Sequence, residues 1–152
     1  MDTLFIFGAE KLFLLSPLVA AYFFYKLDKV KQKEVLIFAF FSLPLTFILG
    51  MILREFYFNP RPFVVNGFEP LIHHAPDNGF PSDHVLLLAA IASIVIFFSK
   101  KYAIALWIIV GLIGISRMYA GVHHSIDILG SILIALLSTS VVYAVSCWKK
   151  MI

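Results

Sequence analysis

The sequence predicts an all-α, polytopic bundle of transmembrane helices, and three observations indicate this fold class. The 152 residues are 61% hydrophobic and only 14% charged. The mean hydropathy of +0.95 is too high for an ordinary soluble domain. The apolar residues also form long runs that are separated by polar connections. We therefore expect residues 1–152 to form a single membrane-embedded domain.

Five apolar runs predict five membrane spans, at residues 12–25, 35–53, 83–99, 102–115 and 126–148. The start of the first span stays open, because Glu10 and Lys11 interrupt an apolar run that reaches back to Leu4. In the fourth span, Gly111 and Gly114 are small residues that permit close helix packing.

The connections between the spans differ in length and character. Residues 26–34 predict a short polar loop, and residues 100–101 predict a tight turn. Residues 54–82 form the only long polar connection. It contains Asn-Pro-Arg-Pro at residues 59–62, which cannot continue a helix. Its many aromatic side chains suit a segment at the membrane interface.

If five spans cross the bilayer in alternating directions, different charged residues lie on its two sides. One side holds all three arginines, all five histidines and most acids. The other side holds eight lysines: Lys26, Lys29, Lys31, Lys33, Lys100, Lys101, Lys149 and Lys150. Cytoplasmic loops are enriched in basic residues, so we expect the lysine side to be cytoplasmic and the polar cluster extracytoplasmic. We assign the lysines to topology alone and expect no nucleic-acid partner.

Cysteine usage does not report a redox compartment here, and the first residues bear on targeting. Cys147 is the single cysteine, so no disulfide within the chain is possible. Asp2 stands where a cleavable signal peptide would carry positive charge, so we expect none.

The most informative stretch is residues 116–127, Ser-Arg-Met-Tyr-Ala-Gly-Val-His-His-Ser-Ile-Asp. If the next helix starts near His123, then His123 and Asp127 lie on one helical face. The carboxylate can then accept a proton from one ring nitrogen and direct the other outward. Arg117 supplies a fixed cation that suits phosphate oxygens. The pattern predicts a nucleophile, a residue that orients it and an anion-binding group.

Two further polar patches are expected on the same face. The first pairs Arg54 with Arg61 and Pro62, and the second is Pro-Ser-Asp-His at residues 81–84. Ser82 is a favourable N-cap residue, and a helix N-terminus attracts anions. Three arginines add bidentate donors, so a tetrahedral anion such as phosphate fits the set.

These residues can fill every role in phosphoryl transfer without a metal or a cofactor. His123 attacks phosphorus and becomes a phosphohistidine, while Asp127 holds its tautomer. His84 protonates the leaving oxygen and then activates water. The predicted phosphate-binding residues are Arg54, Arg61, Ser82 and Arg117.

Three motifs carry a family resemblance: Arg54-x6-Arg61-Pro62, Pro81-Ser82-Asp83-His84 and Ser116-Arg117-x5-His123-x3-Asp127. In this order and spacing the chain resembles the membrane type 2 phosphatidic acid phosphatases. That family carries Lys-x6-Arg-Pro, Pro-Ser-Gly-His and Ser-Arg-x5-His-x3-Asp. The resemblance implies His123 as nucleophile and His84 as general acid. It also implies a bundle that usually has six membrane-associated helices, one more than the five predicted here.

The chain departs from the family pattern at two positions. Arg54 replaces the lysine, which keeps the charge but changes its geometry. Asp83 replaces the glycine, so it is a candidate accessory residue that orients an arginine or a proton donor. Residues 59–63, 74–77 and 80–84 together resemble the bacterial undecaprenyl-diphosphate phosphatase branch, in which Asp is common at that position. This implies hydrolysis of undecaprenyl diphosphate to the monophosphate at the outer leaflet of the bacterial plasma membrane. Such hydrolysis recycles the carrier for cell-wall synthesis and lowers the target of bacitracin.

Other interpretations stay open. Another lipid phosphate is an alternative substrate: phosphatidylglycerol phosphate, phosphatidate or a lipid A phosphate. An outward-facing metal or anion binder, or a transporter, is the non-enzymatic alternative. We assign His73, His74 and His124 to the membrane interface, and Asp77 and Asn78 to a turn. The oligomeric state is left open.

Overall fold

The structure is a computed structural model that describes residues 1–148 and is built from helices. Lys149 and Lys150, predicted to follow the last helix, lie outside the described residues. A single 3₁₀ turn, Leu12–Leu14, joins the first two helices. The helices are α1 (Asp2–Glu10), α2 (Leu15–Lys26), α3 (Lys29–Phe56), α4 (Pro62–Asn66), α5 (Asp83–Ile96), α6 (Lys100–Tyr119) and α7 (Ser125–Trp148).

Helix α5 is the centre of the bundle and packs against α3, α6 and α7. Its sequence is apolar on every side, as expected for a helix surrounded by others, and most of its side chains are buried. Val85, Leu88 and Ala92 belong to the main core cluster together with residues of α6 and α7. With 14 residues, α5 is roughly 21 Å long, which is shorter than a hydrocarbon core of about 30 Å.

Helix length supports fewer spans than the sequence predicts. In residues 1–148, α3, α6 and α7 are long and apolar enough to cross a membrane. Helix α1 and the segment Leu12–Lys26 meet this test only as a pair bent by 43°. The chain is therefore a membrane protein with three candidate spans, or four if the bent pair is one span. Five spans are not confirmed.

Several helix boundaries differ from the predicted ones. Residues 26–34 are predicted to be a loop, but α3 begins at Lys29 because the Asp28 carboxylate accepts a hydrogen bond from the Lys31 backbone N–H at 2.9 Å. Helix α6 includes Lys100, where the sequence predicts a turn, and continues beyond Ile115 to Tyr119. Helix α5 ends at Ile96 and not at residue 99. Charged residues therefore extend α3 and α6 beyond their apolar parts, whereas α5 is shorter than its apolar run.

The long connection between α3 and α5 contains the short helix α4, which the sequence does not predict. Pro62 occupies its first turn, where a missing N–H costs nothing, and Gly67 ends it at φ 65°. The Phe63 N–H then donates to the Gly121 carbonyl, and the Leu71 N–H donates to the Ala120 carbonyl. The connection therefore folds over the turn between α6 and α7.

The helix directions bring the polar motifs to one end of the bundle. The C-termini of α3 and α6 meet the N-termini of α5 and α7 there. Lys29 and Lys100 begin α3 and α6, so they lie at the opposite end. This arrangement agrees with the expected separation of charges. The assignment of the polar end to the extracytoplasmic side stays a prediction.

The two glycines predicted to allow close packing in α6 have different environments, which makes a stability test possible. A Cβ at Gly114 would lie 2.8 Å from Ile128 Cγ2 of α7, whereas a Cβ at Gly111 meets nothing within 4 Å. We expect Gly114→Ala to lower the free energy of unfolding by about 1–3 kcal/mol through overpacking. Gly111→Ala is the matched control and should be neutral or stabilising by up to about 1 kcal/mol. Thermal unfolding in detergent measures both, and equal losses would contradict the packing described.

Candidate active site

The turn between α6 and α7 places His123 at the polar end of the bundle. Helix α6 ends in a Schellman motif, in which the Gly121 N–H donates to the Met118 carbonyl and the Val122 N–H donates to the Arg117 carbonyl. Gly121 has a φ of 77°, which a residue with a side chain rarely adopts. Helix α7 starts two residues after His123, so His123 precedes the helix on which the sequence predicts it.

Asp127 nevertheless contacts His123, because it reaches back over the start of α7. Its Oδ2 accepts a hydrogen bond from the His124 backbone N–H at 2.8 Å, which caps the helix. The same Oδ2 lies 3.4 Å from His123 Nδ1. Its Oδ1 accepts a hydrogen bond from the Asn59 side chain at 2.7 Å. One fully buried carboxylate therefore fixes the helix start and the long connection, and its negative charge lies beside the imidazole, whose Nδ1 makes no hydrogen bond within residues 1–148.

Two buried guanidinium groups converge on the other ring nitrogen of His123. The Arg61 Nη1 and the Arg117 Nη2 each lie 3.3 Å from His123 Nε2. Arg61 and Arg117 are only 4% and 3% exposed. Arg61 also donates to the Val122 carbonyl at 2.8 Å and pairs with Asp77 at 2.7 Å. Arg117 has no carboxylate partner within residues 1–148.

The arginines determine the tautomer of His123. A guanidinium can only donate hydrogen bonds, so Nε2 must accept and its lone pair is free of a proton. The proton of the neutral ring then lies on Nδ1, which faces Asp127. Burial lowers the pKa of His123 to about 4, with the charges of Arg117 and Arg61 acting in the same direction and Asp127 opposing them. At neutral pH the ring is therefore uncharged, and Nε2 carries a lone pair without a proton.

Helix α5 brings Ser82 and His84 to the same end of the bundle. The Ser82 N–H faces the Asp127 carbonyl oxygen at 3.5 Å, so the first turns of α5 and α7 are adjacent. Ser82 occupies the predicted N-cap position, but its side chain makes no capping hydrogen bond. Its buried Oγ has no partner and can donate to a ligand. His84 is partly buried, and the Phe13 ring packs on it edge-on, with centroids 5.3 Å apart.

Arg54 and Asp83 form an ion pair at the edge of the site. The Arg54 Nη2 donates to the Asp83 carboxylate and to the Pro81 carbonyl oxygen, at 3.3 Å from the latter. Asp83 therefore contacts an arginine, and its role as an accessory residue of the site stays a prediction. Both side chains are more exposed than Arg61 and Arg117.

Several residues near His123 have no role in the sequence-based prediction. Asn59 binds Asp127, and Asp77, predicted only to shape a turn, pairs with Arg61. His74, predicted to be interfacial, has its ring centroid 6.1 Å from that of His123. Asn59 lies in the family-like segment 59–63, and His74 and Asp77 lie in the family-like segment 74–77. This resemblance was the sequence signal that could have identified them. Their partners are distant in sequence, so spacing alone could not identify them.

The N-terminal segment also contributes to the site. The Arg117 Nη1 donates to the Ala9 carbonyl oxygen at 3.2 Å. A Cβ at Gly8 would overlap with Ser116 Oγ, so only glycine allows α1 to approach α6 this closely. Helix α1 thus holds Arg117, and the adjacent 3₁₀ turn supplies the Phe13 ring beside His84. The family resemblance implies one membrane-associated helix more than the five predicted, and α1 is a helix that this count does not include.

The residue pattern and this geometry agree with comparisons to known proteins. The model of the PAP2 superfamily matches residues 35–150. The chain belongs to the PAP2 superfamily. The predicted family is therefore confirmed, and the match begins after the N-terminal segment that contacts Arg117 and His84.

Individual PAP2 proteins resemble this chain along different parts of its length. The undecaprenyl-diphosphatase BcrC of Bacillus subtilis is 38% identical over 90 residues, which are 59% of this chain and 47% of that protein. The chain spans about half the length of the curated relatives it matches first. The crystal structure of LpxE from Aquifex aeolicus superposes with a TM-score of 0.72 at 25% identity, covering 94% of this chain and 85% of LpxE.

A PAP2-type phosphatidylglycerolphosphate phosphatase from Bacillus subtilis has a similar fold. Its crystal structure superposes with a TM-score of 0.62 at 26% identity and covers 95% of this chain and 73% of that protein. The all-helical membrane fold is therefore shared along nearly the whole chain. The catalytic and binding roles of the individual residues stay predictions.

The low pKa of His123 predicts how stability depends on pH. In the unfolded chain His123 binds a proton below its ordinary pKa of 6.5, whereas in the folded state it stays unprotonated down to about pH 4. The folded state is therefore most stable above about pH 6.5, and its free energy of unfolding decreases as the pH falls from 6.5 to about 4. Between pH 7.5 and pH 4.5 we expect the wild type to lose about 2 kcal/mol more than His123→Gln. Unfolding in detergent at both pH values measures this difference, and parallel losses would contradict a buried neutral imidazole.

The packing of α1 predicts an effect on activity from a residue far from Arg117 in sequence. Gly8→Val should push α1 away from Ser116 and remove the Ala9 carbonyl from Arg117. Small displacements of positioning groups cost up to about 10²-fold in rate, so we expect a 10- to 100-fold loss in kcat/KM for phosphate release from a lipid phosphate. Phe7→Val changes an exposed neighbour on α1 and is the control. An equal loss in both variants would show that α1 acts only through overall stability.

Proposed function

We propose that the protein is a lipid phosphatase that hydrolyses a polyprenyl diphosphate, most simply undecaprenyl diphosphate, to the monophosphate and phosphate. The observation that carries this proposal is the convergence of two buried arginines on the unprotonated Nε2 of His123. Buried charges without a compensating carboxylate are costly. The excess positive charge around Arg117 therefore favours an anionic ligand, and a phosphate placed there lies against the nucleophile.

The reaction follows from the positions of these groups. His123 Nε2 attacks the terminal phosphorus, an N–P bond forms and the bond to the bridging oxygen breaks. Arg61, Arg117 and the Ser82 hydroxyl bind the phosphoryl oxygens as charge develops on them. Asp127 stabilises the Nδ1 proton of the charged ring. Burial and the charge of Arg117 lower the pKa of His84 to about 4 in the free site, so His84 takes up a proton from water when the anionic substrate binds beside it. It then donates this proton to the departing lipid monophosphate.

The second half of the reaction releases phosphate. His84 now accepts a proton from water, whose oxygen attacks the phosphohistidine. The N–P bond breaks, phosphate departs and His123 returns to its neutral state. All protons are exchanged with side chains of the chain itself, so the mechanism requires no metal. Within residues 1–148, no group of three or more His, Cys, Asp or Glu side chains is arranged to hold a metal ion.

An amphiphilic substrate is favoured by the surroundings of His84. A cavity of about 210 Å³ adjoins it, with Phe13, Phe47, Leu87 and Leu88 in its wall. The predominantly apolar wall suits the first part of a lipid chain, while the phosphate lies among the arginines. Undecaprenyl diphosphate is preferred because an undecaprenyl-diphosphatase is among the most similar relatives. We place the site on the extracytoplasmic side of the bacterial plasma membrane from the lysine distribution.

Phosphatidylglycerol phosphate is the second candidate substrate. A phosphatase named for it shares the fold over 95% of this chain. Phosphatidate and a lipid A phosphate are chemically similar alternatives. The same mechanism serves all of them, so only relative rates separate them.

The test is phosphate release by the purified full chain in detergent with EDTA. The substrates are polyprenyl diphosphate, polyprenyl monophosphate, phosphatidylglycerol phosphate and phosphatidate. We expect release that is independent of metal and fastest with the diphosphate. His123→Ala should lower kcat at least about 10³-fold, because the nucleophile is lost. His84→Ala should lower it about 10²- to 10⁴-fold.

A trapping experiment separates the mechanism from the substrate. Diphosphate labelled in its terminal phosphate should transfer label to the wild type and to His84→Ala, but not to His123→Ala. The labelled bond should be stable in base and labile in acid. Exposed His73 provides the control, since His73→Ala should behave as wild type. Full activity in His123→Ala would overturn the proposed function, and equal rates on all substrates would overturn the substrate alone.

A further inference from the structure

His74 lies beside the nucleophile but has no part in the mechanism derived above. It belongs to the connection between α4 and α5, and its ring meets that of His123 nearly edge-on, with an interplanar angle of 77° and centroids 6.1 Å apart. Its neighbour His73 is exposed, whereas His74 is partly buried. The chain therefore turns one histidine of the pair toward the site and the other toward the surroundings.

The Nδ1 of His74 is buried and has no hydrogen-bond partner. A buried polar atom without a partner is costly, and in a binding site a ligand can supply the missing hydrogen bond. By contrast, the nearby Asn78 side chain is fully used, since it bonds to the backbone of Arg54, Tyr57, Asn59 and Phe80. Asn78 holds the connection in shape, whereas the ring of His74 is left available.

The charges around His74 favour an anion next to it. Burial lowers the pKa of His74, and the positive charges of Arg61 and Arg117 lower it further. Asp77 and the Ala75 backbone oppose this shift but do not cancel it. The ring is therefore neutral in the absence of ligand. A phosphate between His74 and the arginines would offset their positive charge. The N–H of the His74 ring could then donate a hydrogen bond to a phosphate oxygen.

We propose that His74 binds the second phosphate of a diphosphate substrate, the one that remains on the lipid, while Arg61 and Arg117 bind the phosphate that is transferred. This inference rests on the proposed function. The geometry supports it because both guanidinium groups already converge on His123 Nε2, where the transferred phosphorus must lie. The His74 ring lies next to the same imidazole, with the two ring centroids 6.1 Å apart. A group bonded to the transferred phosphate through one bridging oxygen is therefore within its reach.

This assignment makes His74 a residue that determines specificity. A monophosphate ester presents carbon where the diphosphate presents its second phosphate, so it has nothing to offer the His74 ring. Loss of a hydrogen bond to a charged group should therefore penalise the diphosphate selectively. A residue that only supported His123 would affect both substrates alike.

The test compares kcat/KM for polyprenyl diphosphate and polyprenyl monophosphate in the wild type, His74→Ala and His74→Gln. We expect His74→Ala to lower the ratio of the two values about ten- to a hundredfold, mainly through KM for the diphosphate. His74→Gln keeps a donor and should recover part of the ratio. His73→Ala is the matched control and should leave the ratio unchanged.

Each outcome supports or overturns one statement. A selective loss with the diphosphate, partly recovered by glutamine, supports the proposal. Equal losses with both substrates, or no loss, overturn it, since His74 would then support His123 or contact no substrate. If the wild type releases phosphate from neither substrate, the proposed function fails first. Thermal unfolding of each variant in detergent verifies that the comparison uses folded protein.

Discussion

The buried carboxylate of Asp127 is the interaction on which the site depends. Three elements meet at its two oxygens: the start of α7 through the His124 N–H, the long connection through Asn59, and the His123 ring. Gly79 leaves room for this arrangement, because a Cβ there would lie 3.0 Å from Asp127 Oδ2. A buried carboxylate is tolerable only when its charge is satisfied. The same carboxylate that holds the fold together at this end therefore also places a negative charge beside one ring nitrogen of His123.

On the other side of His123, the charge of Arg117 is less completely satisfied than that of Asp127. Asp127 has donors for both oxygens, whereas Arg117 relies on a backbone carbonyl and a neutral imidazole. Its Nε is buried without a partner. The site thus combines a satisfied anion with a cation that is incompletely satisfied. In the proposed reaction, such preorganised positive charge needs no rearrangement when the phosphoryl group arrives, which is the usual origin of electrostatic catalysis.

The sequence predicts those parts of the site whose residues are close together along the chain. His123 and Asp127 are four residues apart, and Arg117 lies in the same dozen residues, so their proximity could be inferred. Their contacts with Asn59, His74 and the Ala9 carbonyl could not, because these join distant segments and one of them is a backbone atom. The predicted start of α3 differs from the observed one because a local polar interaction outweighs hydropathy there. At Asp28 a side-chain cap starts α3 among lysines that otherwise read as a loop.

Helix α3 extends past the start of α5. Pro81 and Leu86 lie at the level of Gly50, and α3 continues from there to Phe56, which adds roughly 9 Å. Arg54, in this last part of α3, reaches back to the Pro81 carbonyl oxygen and to the Asp83 carboxylate. The lysine of the family pattern would bring a compact ammonium to this point, whereas the planar guanidinium of Arg54 ties α3 to the first turn of α5.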